Sequence, residues 1–295
     1  MNTLFHLIFS FDAGIYHWLS QFHGNWFLDH LIAQIEANTL LKTGLFIAGY
    51  CYFWFYEGRD QQERRKSILM IFVGVFVGLA ITRALATIAP FRVRPMFETS
   101  IKQYPLSVPL TFNFVDWSSW PCDHAAYLGA LAFGLALLSR RLTIPVMTYF
   151  AVWVCVPRLY LGIHYTSDVL TGTAIGIVTV WATLHIEEIR SFVANPILAF
   201  MEAKPQLFYT AAFLVLFEMA MLFWDIQQPV HALLKTAGSS GHHRTGLAVG
   251  LVLFASSCMS GIFIRRILMR RRSGLRGNAI PVSPVRTRSA HASHF

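Results

Sequence analysis

The chain carries little charge for its length. Aspartate, glutamate, lysine and arginine make up only 13% of its 295 residues, whereas 55% are hydrophobic. A soluble domain of this size would present a more highly charged surface. Several apolar runs approach or exceed the 18 residues that a helix needs to cross a bilayer, and they are continuous rather than alternating. These features exclude a soluble globular protein and a membrane β-barrel, and they predict an all-α polytopic membrane protein.

Cysteine is also scarce, and its spacing fits neither a metal site nor a disulfide framework. The four cysteines are Cys51, Cys122, Cys155 and Cys258. The cysteines therefore indicate neither kind of site. The first basic residue is Lys42, so the basic segment that opens a cleavable signal peptide is missing, and we expect none.

The positive charge is concentrated at one end of the chain. The net charge is +9, and eight arginines lie between Arg265 and Arg288. A basic tail next to an apolar run is explained by membrane topology and anionic lipid. We therefore expect membrane lipids, and no nucleic acid, as partners.

Hydropathy predicts seven spanning helices. They cover 39–57, 67–89, 122–139, 143–160, 166–186, 206–224 and 246–264. Basic residues follow the first, third, fifth and seventh of them, so these connections are expected on the cytoplasmic side. The 90–121 loop and the 158–168 turn then lie on the outer face. This organisation predicts four parts: an interfacial amphipathic segment over 1–38, a catalytic membrane domain over 39–190, a further two-helix segment over 191–266 and a disordered basic cytoplasmic tail over 267–295.

Three polar clusters fall on this outer face, at the ends of apolar runs. They are Pro90-Phe-Arg92-Val-Arg94-Pro95, Trp120-Pro-Cys122-Asp123-His124 and Arg158-Leu-Tyr-Leu-Gly-Ile-His164-Tyr-Thr-Ser-Asp168. Charged residues are costly in a membrane protein and commonly mark a functional site. Because several helix ends meet at one membrane face, the clusters predict a single site there.

The residue types in these clusters suit phosphoryl transfer. Phosphate spreads its charge over several oxygens, which the planar fork of arginine binds well, so Arg94 and Arg158 are candidate clamps. A histidine nucleophile needs one ring nitrogen available and the other held. We expect His164 to be the nucleophile and Asp168 the carboxylate that orients it. His124 would donate a proton to the leaving group.

The clusters resemble the three motifs of the type-2 phosphatidic acid phosphatase (PAP2) superfamily of membrane lipid phosphatases. Those motifs are Lys-x6-Arg-Pro, Pro-Ser-Gly-His or Pro-Ser-Asp-His, and Ser-Arg-x5-His-x3-Asp. Here they are matched in order by Arg94-Pro95, by Pro121, Asp123 and His124, and by Arg158, His164 and Asp168. The resemblance implies a PAP2-like (acid phosphatase/haloperoxidase-type) helical core and a metal-independent reaction through a phosphohistidine, so we expect no metal and no cofactor.

The sequence departs from the family pattern in the phosphate-binding residues. Thr87 stands where the first motif has lysine, and Arg83 or Arg92 could replace that charge. Cys122 replaces the serine of the second motif, and a thiol is the weaker hydrogen-bond donor. Pro157 replaces the serine of the third motif. For Asp123, a role as the cap of the third span is favoured over a chemical one. The candidate phosphate-binding residues are Arg83, Arg92, Arg94, Cys122, Asp123 and Arg158.

The resemblance implies a lipid phosphatase acting on a lipid phosphate or diphosphate. Polyprenyl diphosphate is the first choice of substrate, because the layout is similar to bacterial undecaprenyl-diphosphate phosphatases; phosphatidate and related lipids follow. A bacterial inner-membrane location with the site facing the periplasm is expected. Two alternatives stay open: a lipid phosphotransferase that uses the same histidine, and a degenerate lipid-binding protein without catalysis.

Overall fold

The computed structural model describes residues 2–109 and 117–223, and every regular element in these ranges is helical. The α-helices are α1 (Asn2–Ser20), α2 (Trp26–Ala37), α3 (Leu45–Phe55), α4 (Gln61–Ile88), α5 (Asp123–Leu138), α6 (Thr143–Phe150), α7 (Val156–Tyr160), α8 (Thr166–His185), α9 (Glu187–Ala203) and α10 (Pro205–Ala220). The all-α class predicted from the sequence is confirmed for these residues.

Three stretches of the described chain are long and apolar enough to cross a membrane. They are Gln61–Ile88, Arg140–Tyr160 and Thr166–His185. Shorter apolar helices cover Leu40–Phe55, Asp123–Leu138 and Pro205–Ala220. Six of the seven predicted spans thus coincide with apolar helices, three of them long enough to span. The seventh, at 246–264, and the predicted tail lie outside the described residues.

Helix α9 was not expected from the sequence. It runs over Glu187–Ala203, inside the stretch expected only to connect two spans, and has Pro196 within it. Its sequence mixes charged and apolar residues, so its mean hydropathy is too low to indicate a span. Ala194, Leu198 and Met201 are nevertheless buried, and α9 packs against α4 and α10.

The N-terminal segment forms two helices that are anchored by buried carboxylates. Asp12 on α1 accepts hydrogen bonds from the backbone N–H and hydroxyl of Ser167 at 2.9 and 2.5 Å. Asp29 on α2 accepts one from the Tyr160 hydroxyl at 2.6 Å. Large apolar side chains on these helices remain exposed: Leu7, Phe11, Trp18, Trp26 and Phe27. Their docking in a membrane interface stays a prediction.

The core is built on α4, α5 and α8, which pack against one another more extensively than any other helices. Small residues permit the close approach. A Cβ added to Gly176 on α8 would collide with the carbonyl oxygen of Ala126 on α5, and one added to Gly172 with that of Cys122. Close packing at these two glycines agrees with the small-xxx-small spacing in the sequence. It brings the start of α5 against the start of α8.

Two π-helical turns interrupt the apolar helices near the site. Leu40–Gly44 precedes α3, and Ala151–Cys155 joins α6 to α7. The two turns contact each other. A π-helical turn inserts an extra residue, changes the face on which later side chains point and is frequent at functional sites. Lys42 lies in the first turn and is buried.

We predict that Gly176→Ala lowers the thermal unfolding midpoint of the purified protein in detergent. The added methyl group has no room beside the Ala126 carbonyl, and overpacking typically costs on the order of 1–3 kcal/mol. Gly14→Ala is the matched control, because nothing lies within 4 Å of the position of its Cβ. It should unfold at the same or a higher temperature. Equal midpoints for wild type and Gly176→Ala would show that the α5–α8 contact is not tight.

Candidate active site

Backbone hydrogen bonds join the three sequence clusters. They run from Ser119 N to Arg92 O at 2.9 Å, from Met96 N to Gly162 O at 3.0 Å and from Cys122 N to Asp168 O at 3.1 Å. Each bond links segments that are distant in the sequence. The end of α4, the start of α5, the end of α7 and the start of α8 therefore meet at one place, as expected if the three clusters form a single site.

His164 lies at the centre of this assembly and is only 3% exposed. Its Nδ1 is 2.8 Å from the carbonyl oxygen of Ser119, which can only accept a hydrogen bond. Nδ1 is therefore assigned the proton, and Nε2 of the neutral ring carries the lone pair. The Nη1 of Arg94 is 3.2 Å from Nε2. The ring nitrogen with nucleophilic character thus faces a guanidinium group.

Asp168 holds His164 less directly than the sequence suggested. Its Oδ2 is 3.8 Å from His164 Nδ1, which is beyond hydrogen-bond distance. The carboxylate instead accepts from the Ser119 hydroxyl at 2.5 Å and from Tyr165 N at 2.8 Å. Arg92 Nη1 is 2.5 Å from its other oxygen. Asp168 therefore fixes Ser119, and the Ser119 carbonyl fixes the imidazole.

The surroundings of His164 favour the protonated ring. Burial opposes the imidazolium, but the electrostatic influence of the Cys122 sulfur and the Asp168 carboxylate outweighs it. Together they hold the pKa of His164 above its usual value of 6.5. The neutral form with an available Nε2 therefore predominates only above that raised pKa.

His124 is oriented by its neighbour Asp123. The His124 Nδ1 is 2.8 Å from Asp123 Oδ1, and the other carboxylate oxygen pairs with Arg83 Nη2 at 2.5 Å. Arg83 also lies over the Trp117 ring, 5.0 Å from its centroid. The His124 side chain is 28% exposed, which leaves it accessible beside the buried His164. Arg83 thus holds the Asp123 carboxylate, which in turn orients the His124 ring.

The cap of α5 is Cys122 rather than Asp123, the residue favoured for it from the sequence. The Cys122 sulfur accepts from the backbone N–H of Ala125 at 3.4 Å, whereas Asp123 is the first residue of the helix. Cys122 is fully buried. The thiol therefore acts at the helix N-terminus, where a serine hydroxyl would also cap.

Cys122, Asp123 and His164 could together offer a cation three ligand atoms within 4.8 Å of one another. Two guanidinium groups already lie against two of these residues: Arg83 is paired with Asp123, and Arg94 contacts His164. Like charges repel strongly at such distances in a buried place. The arrangement favours an anion over a metal ion here.

Arg94 is buried at 7% exposure and is fixed by carbonyl oxygens. Its Nη1 donates to Ile163 O at 2.8 Å, and its Nη2 to Ser118 O at 3.5 Å. Burial lowers the pKa of the Arg94 guanidinium to about 10, which still leaves it charged at neutral pH. A fixed positive charge therefore stands beside the His164 nitrogen.

The two arginines proposed to replace the missing lysine of the first motif are both paired with carboxylates. Arg83 pairs with Asp123, as described above. Arg92 pairs with Asp168 and, through Nη2 at 2.7 Å, with Asp12. Arg92 also lies 4.2 Å from the centroid of the Tyr165 ring. Because carboxylates already offset their charge, neither arginine simply supplies the positive charge of the missing lysine.

Arg158 belongs to an ion cluster that was not predicted from the sequence. Its Nη2 is 2.7 Å from Glu36 Oε1, and Lys42 Nζ is 3.2 Å from the same oxygen. Glu36 lies on the segment expected to dock in the interface, and Lys42 lies inside a predicted span. A single acidic residue in an amphipathic stretch usually faces solvent, so Glu36 gave no indication of this cluster. The only indication in the sequence was a lysine, Lys42, inside a predicted span.

Thr87 has its hydroxyl turned to its own helix. Its Oγ1 donates to the carbonyl of Ala84 at 2.7 Å. This agrees with the preference, drawn from the sequence, for a bond to the preceding turn over a contact with phosphate.

Comparisons with known proteins place these residues in a family. No curated protein and no solved structure matches the chain. The family model described as the PAP2 superfamily matches residues 68–191. That range holds all three polar clusters and both histidines of the site, and it excludes Glu36 and Lys42. Residues 68–191 therefore form a PAP2 superfamily domain, which confirms the family that the three motifs indicated.

Proposed function

We propose that the chain is an integral-membrane lipid phosphatase in which His164 attacks phosphorus. The PAP2 superfamily domain indicates a phosphatase-type activity, and the apolar helices indicate a membrane environment. The observation that supports the nucleophile best is the state of its ring. Nδ1 is held by the Ser119 carbonyl, and Nε2 faces Arg94. A nitrogen that carries its lone pair beside a fixed cation suits attack on an anionic phosphoryl group, once a phosphate oxygen replaces Nε2 as the acceptor of the Arg94 hydrogen bond.

The reaction would take place in two steps. In the first, His164 Nε2 forms a bond to phosphorus, the bond to the leaving oxygen breaks, and a protonated His124 gives that oxygen a proton. In the second, His124 takes a proton from water, the water oxygen attacks phosphorus, and the phosphorus–nitrogen bond breaks. A monoester yields a lipid alcohol and phosphate, and a diphosphate yields a lipid monophosphate and phosphate. The position of His124, held by Asp123 and more exposed than His164, supports this role.

The substrate would be an amphiphilic phosphate or diphosphate. A headgroup could reach polar residues at the helix ends while its hydrocarbon chain stays beside the exposed apolar side chains of the helices. Polyprenyl diphosphate remains the first choice on the resemblance in layout to undecaprenyl-diphosphate phosphatases, with phosphatidate and related lipids next. A bacterial inner membrane, with the site on the periplasmic side and the C-terminus in the cytoplasm, agrees with the distribution of basic residues.

Two alternatives use the same residues differently. A phosphotransferase would pass the phosphoryl group from His164 to an acceptor other than water. A degenerate lipid-binding protein would hold the phosphate without turnover, and the changes at Thr87 and Cys122 are the features that favour it. The ordered His164–Ser119–Asp168 arrangement favours catalysis, because a binding protein gains nothing from an oriented nucleophile.

We predict that His164→Ala abolishes phosphate release from lipid phosphates. The purified protein would be assayed against a panel of polyprenyl diphosphate, phosphatidate and related lipids, with and without a chelator. Loss of the nucleophile should reduce kcat by roughly a thousandfold or more, whereas the chelator should have no effect. His185→Ala is the matched control, because this exposed histidine lies at the other end of α8.

The outcomes of this assay distinguish the proposed phosphatase from the two alternatives. Unchanged release by His164→Ala would contradict the nucleophile, and loss of activity on chelation would contradict the metal-free mechanism. No release from any lipid by the wild type, combined with lipid binding, would favour the degenerate protein. Transfer of labelled phosphate to an added lipid alcohol in place of water would favour the phosphotransferase.

We predict that kcat/KM for a phosphate ester with an activated leaving group, which needs no proton from His124, declines in acid as His164 becomes protonated. The neutral ring is the nucleophile, and its pKa lies above 6.5, so the decline should begin above that pH. It should approach about tenfold for each further pH unit. In Asp168→Asn the residual activity should show the decline at a lower pH, because the carboxylate that favours the imidazolium is gone. Titration of the substrate is the same for both proteins, so coincident profiles would refute the assignment to His164.

A further inference from the structure

Three charged side chains form a buried cluster beside the candidate active site. Glu36 on α2, Lys42 on the first π-helical turn and Arg158 on α7 are 4%, 5% and 2% exposed. The Oε1 of Glu36 is 2.7 Å from Arg158 Nη2 and 3.2 Å from Lys42 Nζ. The second π-helical turn, Ala151–Cys155, leads directly into α7 and contacts the turn that carries Lys42. Two irregular turns thus bring the three groups together.

The cluster holds more positive than negative charge. Burial disfavours the Glu36 carboxylate, but Arg158 and Lys42 hold its pKa below the usual value, so it is ionised at neutral pH. One carboxylate therefore faces two cations. Within the described ranges, Arg158 Nε and Glu36 Oε2 are buried and make no hydrogen bond. Uncompensated positive charge and an unused donor are costly inside a protein, and an anion at Arg158 would offset the excess charge and accept from Arg158 Nε.

Arg158 is connected directly to the segment that carries the nucleophile. Its carbonyl oxygen accepts from the backbone N–H of Ile163 at 3.0 Å and from that of His164 at 3.3 Å. The charge of Lys42 also acts on Asp123 and His124. The cluster therefore lies beside both histidines of the site, although Glu36 and Lys42 precede the matched family segment.

The residues that could stand in for the missing lysine of the first motif supply no net positive charge. Thr87 brings no charge where the first motif of the family has lysine, and its hydroxyl is bonded within its own helix. Arg83 and Arg92 are each paired with carboxylates. Arg158, if paired with Glu36 alone, would be neutralised in the same way.

We propose that Lys42 offsets the charge of Glu36, so that Arg158 keeps a net positive charge for the phosphate group of the substrate. This rests on the proposed function. Glu36 is then a positioning residue that holds the Arg158 guanidinium, and Lys42 is the residue that preserves its charge. The chain compensates for the missing lysine of the first motif from a different helix, through Arg158. The ligand recognised is a phosphate anion, either free or on a lipid.

The test is direct titration of inorganic phosphate into the purified full-length protein in detergent. In Lys42→Met, Arg158 and Glu36 would form a neutral pair, and the Kd for phosphate should rise at least about tenfold. Lys42→Arg keeps the charge and should bind nearly as the wild type does. In the double variant Lys42→Met/Glu36→Gln only Arg158 is charged, so the net charge of +1 returns and the Kd should return towards the wild-type value.

The matched control is Lys66→Met. Lys66 also forms a lysine–glutamate pair, with Glu63 at 2.7 Å, but on an exposed part of α4. Its loss removes the same charge and should leave the Kd unchanged. The thermal unfolding midpoint of every variant would be measured in parallel, so that a loss of folding is recognised as such.

The possible results separate this inference from the proposed function. An unchanged Kd in Lys42→Met, or a double variant no tighter than Lys42→Met, would overturn the role of Lys42 through Arg158. A purely structural lysine would lower the unfolding midpoint of Lys42→Met without changing its Kd. Titration needs no turnover, so the inference can be tested even where no lipid is hydrolysed. Phosphate release that persists in His164→Ala would overturn the proposed nucleophile alone.

Discussion

The buried carboxylate of Asp168 determines how the loops of this protein assemble. A carboxylate with no exposed surface must be compensated by hydrogen bonds and positive charge. Its partners are the Ser119 hydroxyl, the backbone N–H of Tyr165 and the guanidinium of Arg92. These groups come from three separate segments of the chain. Satisfying one charge thus brings the end of α4, the loop before α5 and the start of α8 together, with His164 between them.

The same constraint governs the other charges of the site. The buried or half-buried ion pairs of the site are Arg83 with Asp123, Arg92 with Asp12 and Asp168, and Glu36 with both Arg158 and Lys42. Pairing keeps cations stable in a low-dielectric place, but it also reduces the charge they present to a substrate. The cluster at Arg158 differs, because two cations share one carboxylate. Arg94 donates to the carbonyl oxygens of Ile163 and Ser118 and also contacts His164 Nε2, which keeps its charge beside the nucleophile.

Two of the three departures from the family pattern, Cys122 and Thr87, have unequal consequences. At Cys122 the N-terminus of α5 is still capped, since the sulfur accepts from Ala125 N and the backbone N–H bonds to the Asp168 carbonyl. Thr87 removes a cation altogether, and no neighbour in the sequence replaces it simply. A capping contact depends on local geometry, which a similar atom can restore. A charge acts over a distance, so a residue from another part of the fold can compensate for it.

The amino-acid sequence by itself determined the helical membrane class, the three polar clusters and the pairing of His164 with Asp168 and Arg158 in one motif. These follow from local properties: the length of apolar runs, the position of charges at their ends and fixed spacings along the chain. Only the tertiary structure decided that the Ser119 carbonyl, not the Asp168 carboxylate, accepts the hydrogen bond from His164 Nδ1 and that Asp123 holds His124. It alone showed that Glu36 reaches Arg158 across 122 residues. An acidic residue in an amphipathic helix has the same local pattern whether it faces solvent or a buried arginine, so its partner is fixed only when the helices pack.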